Sequence, residues 1–338
     1  MMKLLEQLIN LQGISGDESP VRNFIIKEAK KYCKNIEVDK MGNIVARKKG
    51  HAPSVMFLAH MDEIGLIIKS IDGDGKIQIS NIGGIDPIVL IGHRVEIKTS
   101  KGTMNGIITT KEILNDKDNT KKIDMDSIFV FTGLNKKGLE KEGVKTGAYL
   151  SFSKSSEFCT LGNKDIIAGK ALDDRIGCYI LLEIMRNMKT SHDITFVFTV
   201  QEEVGLYGAK ASVFNLNPDY AIAIDVTGHD EENDRMLLGR GPSLTFKDAE
   251  MLGNKCLNES LELAAKKLKI KLQREVSDAG TTDATSVFAA KGGVPSAVVG
   301  VPVANIHTTM CAAHRQDIED AIKVLSNFIK KPPVKCWD

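Results

Sequence analysis

The chain has 338 residues, 42% of them hydrophobic, with 29 Gly and 9 Pro, a composition that excludes a disordered or fibrous protein and leaves core enough for one large or two moderate domains. Forty-five basic against 44 acidic side chains leave a formal charge of +1, which gives no global field to hold nucleic acid or an anionic membrane surface. Recognition has to come from a local site.

The opening segment MMKLLEQLINLQGISGDES carries a short apolar stretch broken by Glu6 and Gln7 and no signal-type cleavage site. Apolar runs elsewhere fall short of the ~20 residues that a membrane-spanning helix needs, so a soluble, cytoplasmic protein is expected. Six cysteines (Cys33, Cys159, Cys178, Cys256, Cys311 and Cys336) stand far apart without a CxxC pair. In a chain of this size the expectation is reduced thiols.

ESPVRNFIIKEAKKYC sets Val21, Phe24, Ile25 and Ala29 on one face, with Pro20 in the first turn, and predicts an amphipathic helix. NIEVDKMGNIVARK reads as two short strands around a Met-Gly-Asn turn, and SVMFLAH as a strand buried on both faces, ending at His60. From about Ser70 to about Lys164, short alternating segments such as KIQIS, HRVEIKT, GIITT and SIFVFTG alternate with Gly, Asn, Asp and Lys clusters. That texture predicts a small inserted β-barrel or sandwich. Within it, DGDGK at 72–76 reads as a β-turn, because it lacks the spacing and terminal Glu of a calcium loop.

Beyond the insertion, RIGCYILLEIMRNM reads as helix, DITFVFTVQ and PDYAIAIDVT as strands and NESLELAAKKL as helix. VPSAVVGVPV supplies a further strand and RQDIEDAIKVLSNFIKK a closing helix. The fold class expected is α/β, a mostly parallel central sheet flanked by helices, built from both ends of the chain around the β insertion.

Ligands of open α/β sheets gather outside the carboxyl ends of the strands. Five segments put polar groups there: AHMDEIG with His60 and Asp62, GKALDDRIG with Asp173 and Asp174, TVQEEVG with Glu202 and Glu203, AIDVT with Asp225, and NIHTTM with His307. Singly each is a weak signal, since an Asp or His at a strand end is more often a helix cap or a satisfied loop residue. Together they form a set of imidazoles and carboxylates that would repel itself without cations. The mixed donors suit zinc, cobalt or manganese better than magnesium or calcium, and the ligand count suits two ions if one carboxylate bridges. Asp62, two residues past His60, can orient that imidazole. In extended backbone Glu202 and Glu203 point apart, so one can ligate while the other serves as general base.

The segments AHMDEIG, GGIDPIVLIGHRV, GKALDDRIG, QEEVGLYGA, AIDVT and GTTDATSVFAAKGGVPSAVVGVPVANIHT, in that order over nearly the whole chain, resemble the tetrahedral (TET) or deblocking metalloaminopeptidases. This is metallopeptidase family 42, which includes glutamyl aminopeptidase and proteins labelled cellulase M. The resemblance implies a zinc-exopeptidase-like catalytic domain of residues 1–69 and 165–338 and an inserted β dimerisation domain at 70–164. By position it implies that His60 and Asp225 bind one divalent metal, that Glu203 and His307 bind the other, and that Asp173 bridges. Glu202 matches the general base acting on a metal-activated water, and Asp62 the orienting carboxylate. The implied reaction removes N-terminal residues from short peptides with free N-termini. The implied cofactors are two ions per subunit, zinc or cobalt before manganese. The implied assembly is a homo-oligomer, a tetrahedral dodecamer of dimers.

Asp174 stays outside the ligand set, at a position where many relatives carry Asn. The chain also departs from the family pattern after His307, where it reads Thr308-Thr309-Met310-Cys311, at Thr109-Thr110-Lys111-Glu112, and at Gly147-Ala148. His93, in a β segment of the insertion, and His229 and His314 read as surface or loop residues. Cys311 is left out because a carboxylate-rich site has ligands enough. The serious rival is a metal-dependent deacylase or carboxypeptidase of the same clan. A glycosidase would need sugar-stacking aromatics, and with one Trp, at position 337, and 5% aromatics it ranks below. A metal-binding scaffold without catalysis would have no use for Glu202.

Overall fold

The computed structural model describes residues 2–110, 123–152, 156–233 and 235–336. Three strands open the sheet: β1 (Asn35–Val38), β2 (Ile44–Lys48) and β3 (His51–His60). The chain then leaves it for β4 (Gly65–Ile71), β5 (Ile77–Ile82), β6 (Arg94–Thr99), β7 (Gly102–Thr110), β8 (Ile128–Phe131) and β9 (Tyr149–Phe152). These six close into a barrel in the order β4-β5-β8-β7-β6-β9. The remaining strands return to the first sheet: β10 (Cys159–Thr160), β11 (Ile166–Gly169), β12 (His192–Thr199), β13 (Tyr220–Gly228), β14 (Ser243–Lys247), β15 (Gln273–Val276), β16 (Ser296–Ala304) and β17 (Cys311–His314).

The large sheet runs β1-β2-β12-β3-β13-β16-β17-β11-β10, with β14 and β15 branching from β16. Its centre, β12-β3-β13-β16, is parallel, whereas both flanks pair antiparallel. The central strands are buried on both faces because helices cover them, which explains their unbroken apolar runs. Phe57 of β3 and Phe196 of β12 sit in register and stack with centroids 5.8 Å apart, a pair worth about 0.5–1.5 kcal/mol beyond the area it buries.

Among the described residues eight α-helices accompany the strands: α1 (Lys3–Asn10), α2 (Ser19–Ala29), α3 (Lys136–Lys141), α4 (Leu172–Asn187), α5 (Tyr207–Asn215), α6 (Lys255–Leu268), α7 (Asp283–Phe288) and α8 (Arg315–Phe328). α2 buries Val21, Ile25 and Ala29 as its periodicity predicts. α6 is bounded by chemistry legible in the sequence, with the Asn254 side chain accepting from the Leu257 amide and Lys269 ending the helix in the left-handed region. The DGDGK segment is the β4–β5 turn, where Asp72 Oδ1 accepts from the amides of Asp74 and Lys76 at 3.0 and 2.8 Å.

Two expectations need correction. Not all thiols are reduced, since Cys256 at the start of α6 and Cys336 form a disulfide, while Cys33, Cys159, Cys178 and Cys311 are free. His93 lies just before β6 rather than inside a strand. Lys111, Glu112 and Trp337 fall outside the described residues. Among the described residues no helix is long and apolar enough to cross a membrane.

Candidate active site

The residues singled out at the strand ends converge on one spot. β3 ends at His60, which pairs in register with Thr199 at the end of β12, so the turn carrying Glu202 and Glu203 starts beside it. Asp225 projects from β13, opposite Gly300 of β16, and His307 follows β16 in a loop. Asp173 and Asp174 occupy the entry to α4 with non-helical backbone angles, and Asp174 Oδ1 accepts from the Gly177 amide of that helix at 2.8 Å. Ala171, Gln201 and His307 all adopt positive φ, 52°, 54° and 56°, a backbone state uncommon outside glycine and concentrated at functional turns.

Asp173 lies at the centre. Its Oδ1 is 2.9 Å from His60 Nε2 and its Oδ2 3.4 Å from His307 Nε2. Asp225 Oδ1 and Glu202 Oε2 stand 3.8 and 3.9 Å from His60 Nε2, and Glu203 Oε2 stands 3.5 Å from His307 Nε2. Two sets of donor atoms, His60-Asp173-Asp225 and Asp173-Glu203-His307, each fall within 4.8 Å of one another.

Asp62 is fully buried and faces the other side of His60, its Oδ1 3.6 Å from Nδ1. It accepts from Ser15 Oγ at 2.6 Å and from the amides of Glu202 at 3.1 Å and Glu203 at 3.3 Å. One carboxylate therefore fixes the Glu202–Glu203 turn and backs the imidazole.

The electrostatics show what the cluster lacks. Burial drives Glu203 and Asp225 up to about 8, and it raises Glu202 and Asp174 well above the usual carboxylate range. Burial acts against the charged form of His60, yet Glu202, Asp173 and Asp62 together hold its pKa well above the usual value. The hydrogen bond to Asp173 lifts His307 to about 9. Glu203 Oε1 and His60 Nδ1 are buried without a hydrogen-bond partner. Such a collection is short of positive charge, and its N and O donors with a two-sided carboxylate between them fit a pair of divalent cations.

The barrel reaches this cluster through the GGIDP turn. A Cβ on Gly83, at φ +80°, would sit 3.2 Å from Glu203 Oε2, and one on Gly84 would sit 3.1 Å from His307 Nδ1. His93 Nε2 also comes to 3.4 Å from Thr309 Oγ1 in the His307 loop. His229 and His314 stand apart from the cluster, the first against the Met236 carbonyl and the second capping α8. The Cys311 thiol faces the Asn305 carbonyl at 3.1 Å and is pushed up to about 12 by burial, outside both donor sets.

Sequence reasoning passed over the support beneath the site. Glu63 lies under the cluster with both oxygens 2.7 Å from Lys170 Nζ and one 3.3 Å from Arg175. Lys170 and Arg175 also donate to the carbonyls of Leu11 and Leu8 at 2.6 and 2.7 Å, tying the end of α1 to the entry of α4. All three stand inside quoted motifs; the available signal was a charge held within an apolar run. Asp283 was missed too. It is buried, hydrogen-bonded to Thr199 and raised to about 6 by burial.

A cavity of about 710 Å³ opens beside the cluster and takes in His60, Asp173, Glu202, Glu203, Asp225 and His307. Fold and buried donor set define a metal-dependent hydrolase. A family model described as M42 glutamyl aminopeptidase matches residues 42–324. The lysyl aminopeptidase of Pyrococcus furiosus is 34% identical over 343 residues, 97% of this chain and 96% of its own. The solved TET aminopeptidase of the marine sediment archaeon Thaumarchaeota archaeon SCGC AB-539-E09 has a TM-score of 0.93 at 30% identity, covering 98% of this chain and 97% of its own. The Pyrococcus horikoshii TET1 peptidase, described as able to assemble into a tetrahedron or a large octahedral shell, has a TM-score of 0.88 at 31% identity over 98% of this chain and 99% of its own. The chain belongs to the M42 glutamyl aminopeptidase family and is a metalloaminopeptidase.

Proposed function

We propose that the chain is a dinuclear enzyme that removes the first residue from short peptides with free N-termini. In this reading His60 and Asp225 hold one ion, Glu203 and His307 the other, and Asp173 bridges them. The observation that carries it is the two-sided contact of Asp173, 2.9 Å to His60 and 3.4 Å to His307. The donor set favours zinc or cobalt, with manganese after them. When bound, such ions act as Lewis acids that acidify water and polarise a scissile carbonyl.

The chain's own residues supply the rest. Glu202 stands 3.9 Å from His60 Nε2 on the cavity wall, so it takes the proton of the attacking water and returns it to the leaving amine. Asp62 acts as a positioning residue, holding the Glu202 and Glu203 amides. The free amine of the substrate meets the same crowd of carboxylates, and that contact selects the N-terminus.

The chain divides, in this reading, into a catalytic domain and an inserted dimerisation domain, with both bounds, expected at 69/70 and 164/165, moved toward the N-terminus so that the barrel strands Gly65–Ile71 to Tyr149–Phe152 stay together and Cys159–Thr160 stays with the large sheet. Ile107 and Phe131 support dimerisation through the barrel: they are paired across β7 and β8 and are 51% and 57% exposed, an apolar surface that a second copy would cover. A dodecamer of dimers follows by likeness to the P. horikoshii peptidase. The absence of a membrane-crossing helix among the described residues is compatible with a cytoplasmic site of action.

Metal-stripped protein, reconstituted with zinc or cobalt, tests the reading on peptides with free, N-acetylated and C-amidated ends. Metal-dependent release of the first residue, blocked by acetylation and indifferent to amidation, is the expected result. Cleavage of acetylated substrates alone would make the enzyme a deacylase, and sensitivity to C-amidation a carboxypeptidase.

A further inference from the structure

The cavity extends beyond the cluster, and its far part has a charge that the peptidase chemistry does not use. Glu275 on β15 and Asp248 just after β14 line it, and among the described residues no Lys or Arg does. Thr227 and Thr245 both donate to the Glu275 carboxylate, the latter at 2.6 Å. Thr227 stands two residues past Asp225 on β13, on the same face of the strand. The carboxylate is thus held rigidly toward the side of the cluster, by neutral hydroxyls that leave its charge uncompensated.

Asp248 is 6% exposed. Its Oδ1 accepts from the amides of Glu250 and Met251 at 2.8 and 2.6 Å, while its Oδ2 is buried without a partner. Two of the neighbouring cations are committed elsewhere. Lys247 bonds the Ser277 carbonyl and Asp278. Arg274 bonds Glu262 and lies over the Phe246 ring. Arg235 lines an adjoining hollow of about 470 Å³ that Glu275 also borders, without an ion pair to it. Among the described residues neither carboxylate is paired with a Lys or Arg.

We infer that this part of the cavity receives the side chain of the substrate's first residue and selects a basic one, lysine or arginine, with Glu275 and Asp248 as its counter-charges. The inference rests on the aminopeptidase reading above. A buried carboxylate without a cation is costly, and a ligand that brings the cation recovers that cost on binding. An ammonium or guanidinium at the end of a methylene stem does so, while Leu206, Val298 and Ile306 supply apolar wall for the stem. An apolar first residue brings no cation to the Glu275 carboxylate. An acidic one adds a like charge.

The test is kcat/KM of the zinc- or cobalt-loaded enzyme on aminoacyl p-nitroanilides of Lys, Arg, Leu and Glu. Lys and Arg should exceed Leu and Glu by about tenfold or more, the scale of one charged hydrogen bond. Glu275→Gln and Asp248→Asn should each lower the Lys-to-Leu ratio by about tenfold on the same grounds. Inhibition of the unaltered enzyme by free L-lysine against L-norleucine needs no variant, and lysine should inhibit at the lower concentration. A preference for Leu or Glu, equal inhibition by the two amino acids, or an unmoved ratio in both variants overturns this pocket and leaves the aminopeptidase reading standing. No release from any substrate overturns both.

Discussion

The two donor sets share Asp173 yet differ in how the chain builds them. His60 and Asp225 come directly from neighbouring parallel strands, with side chains 3% and 10% exposed. Register alone aligns them, and Asp62 braces His60 from behind. His307 stands on a loop with positive φ, its side chain 43% exposed. That loop is closed by its own contacts, Thr308 to the Asn305 and Met310 carbonyls at 2.8 and 3.0 Å, and by the barrel's Gly84 and His93. The sheet supplies His60 and Asp225 of the inner set, with Asp173 added from the entry to α4, whereas His307 of the outer set has the inserted barrel packed against its loop. Rigid elements position ligands more closely than loops do, so the inner set is the better organised for an ion.

The largest effect should fall on the residue that belongs to neither set. Glu202→Gln should lower kcat about 10²–10⁴-fold, the usual contribution of a general base, with metal content unchanged near two ions per chain. Because Asp62 grips the Glu202 amide rather than its side chain, the turn survives the substitution. Retained turnover removes Glu202 as the base. The comparison itself breaks or holds on a pair of deletions read by elemental analysis. His307→Ala should lose only the outer ion, while His60→Ala should lose the inner one, and during chelator titration of the unaltered enzyme the outer ion should leave first. Simultaneous release would mean that the two sets are not distinct.

A smaller effect sharpens the inner side. Asp62→Asn keeps the shape but weakens the acceptor that faces His60 Nδ1 and two backbone amides. Inner-ion affinity should fall about 10–100-fold, as for other groups behind a ligating histidine. Outer-ion affinity, measured in the same competition with a chelator, should move less. An equal fall at both positions would assign Asp62 to the Glu202–Glu203 turn rather than to His60.

The same contrast sets how much was legible in the sequence. β3, β12, β13 and β16 announce themselves as long apolar runs, and the polar residues at their ends fall where parallel strands deliver them. β14, β15 and β17 were not anticipated, because SLTFK, QREV and CAAH are short and owe their strand state to pairing with distant partners. α1 was hidden by Glu6 and Gln7, although Leu5, Leu8 and Ile9 have helical spacing and are buried. The Cys256–Cys336 bond spans 80 residues, and spacing cannot signal such a pair. Glu63, Lys170 and Arg175 illustrate a further limit, since Glu63 is tolerable inside because both cations fold against it, and each cation because of Glu63 and the carbonyls of Leu11 and Leu8.

The least disruptive change probes the outer side alone. Gly84→Ala adds one methyl group whose nearest neighbour is His307 Nδ1, at 3.1 Å, with Cε1 at 3.5 Å. That separation is a few tenths of an ångström too tight, and the exposed imidazole can give way more readily than the barrel backbone. The displaced ring should weaken the outer ion by less than about tenfold, below the range seen when a group behind a ligand is lost, and leave the inner ion and the melting temperature unchanged. A loss at the inner position instead would show that the barrel braces both sets through Asp173. The division between a sheet-built and a barrel-completed half would then fail.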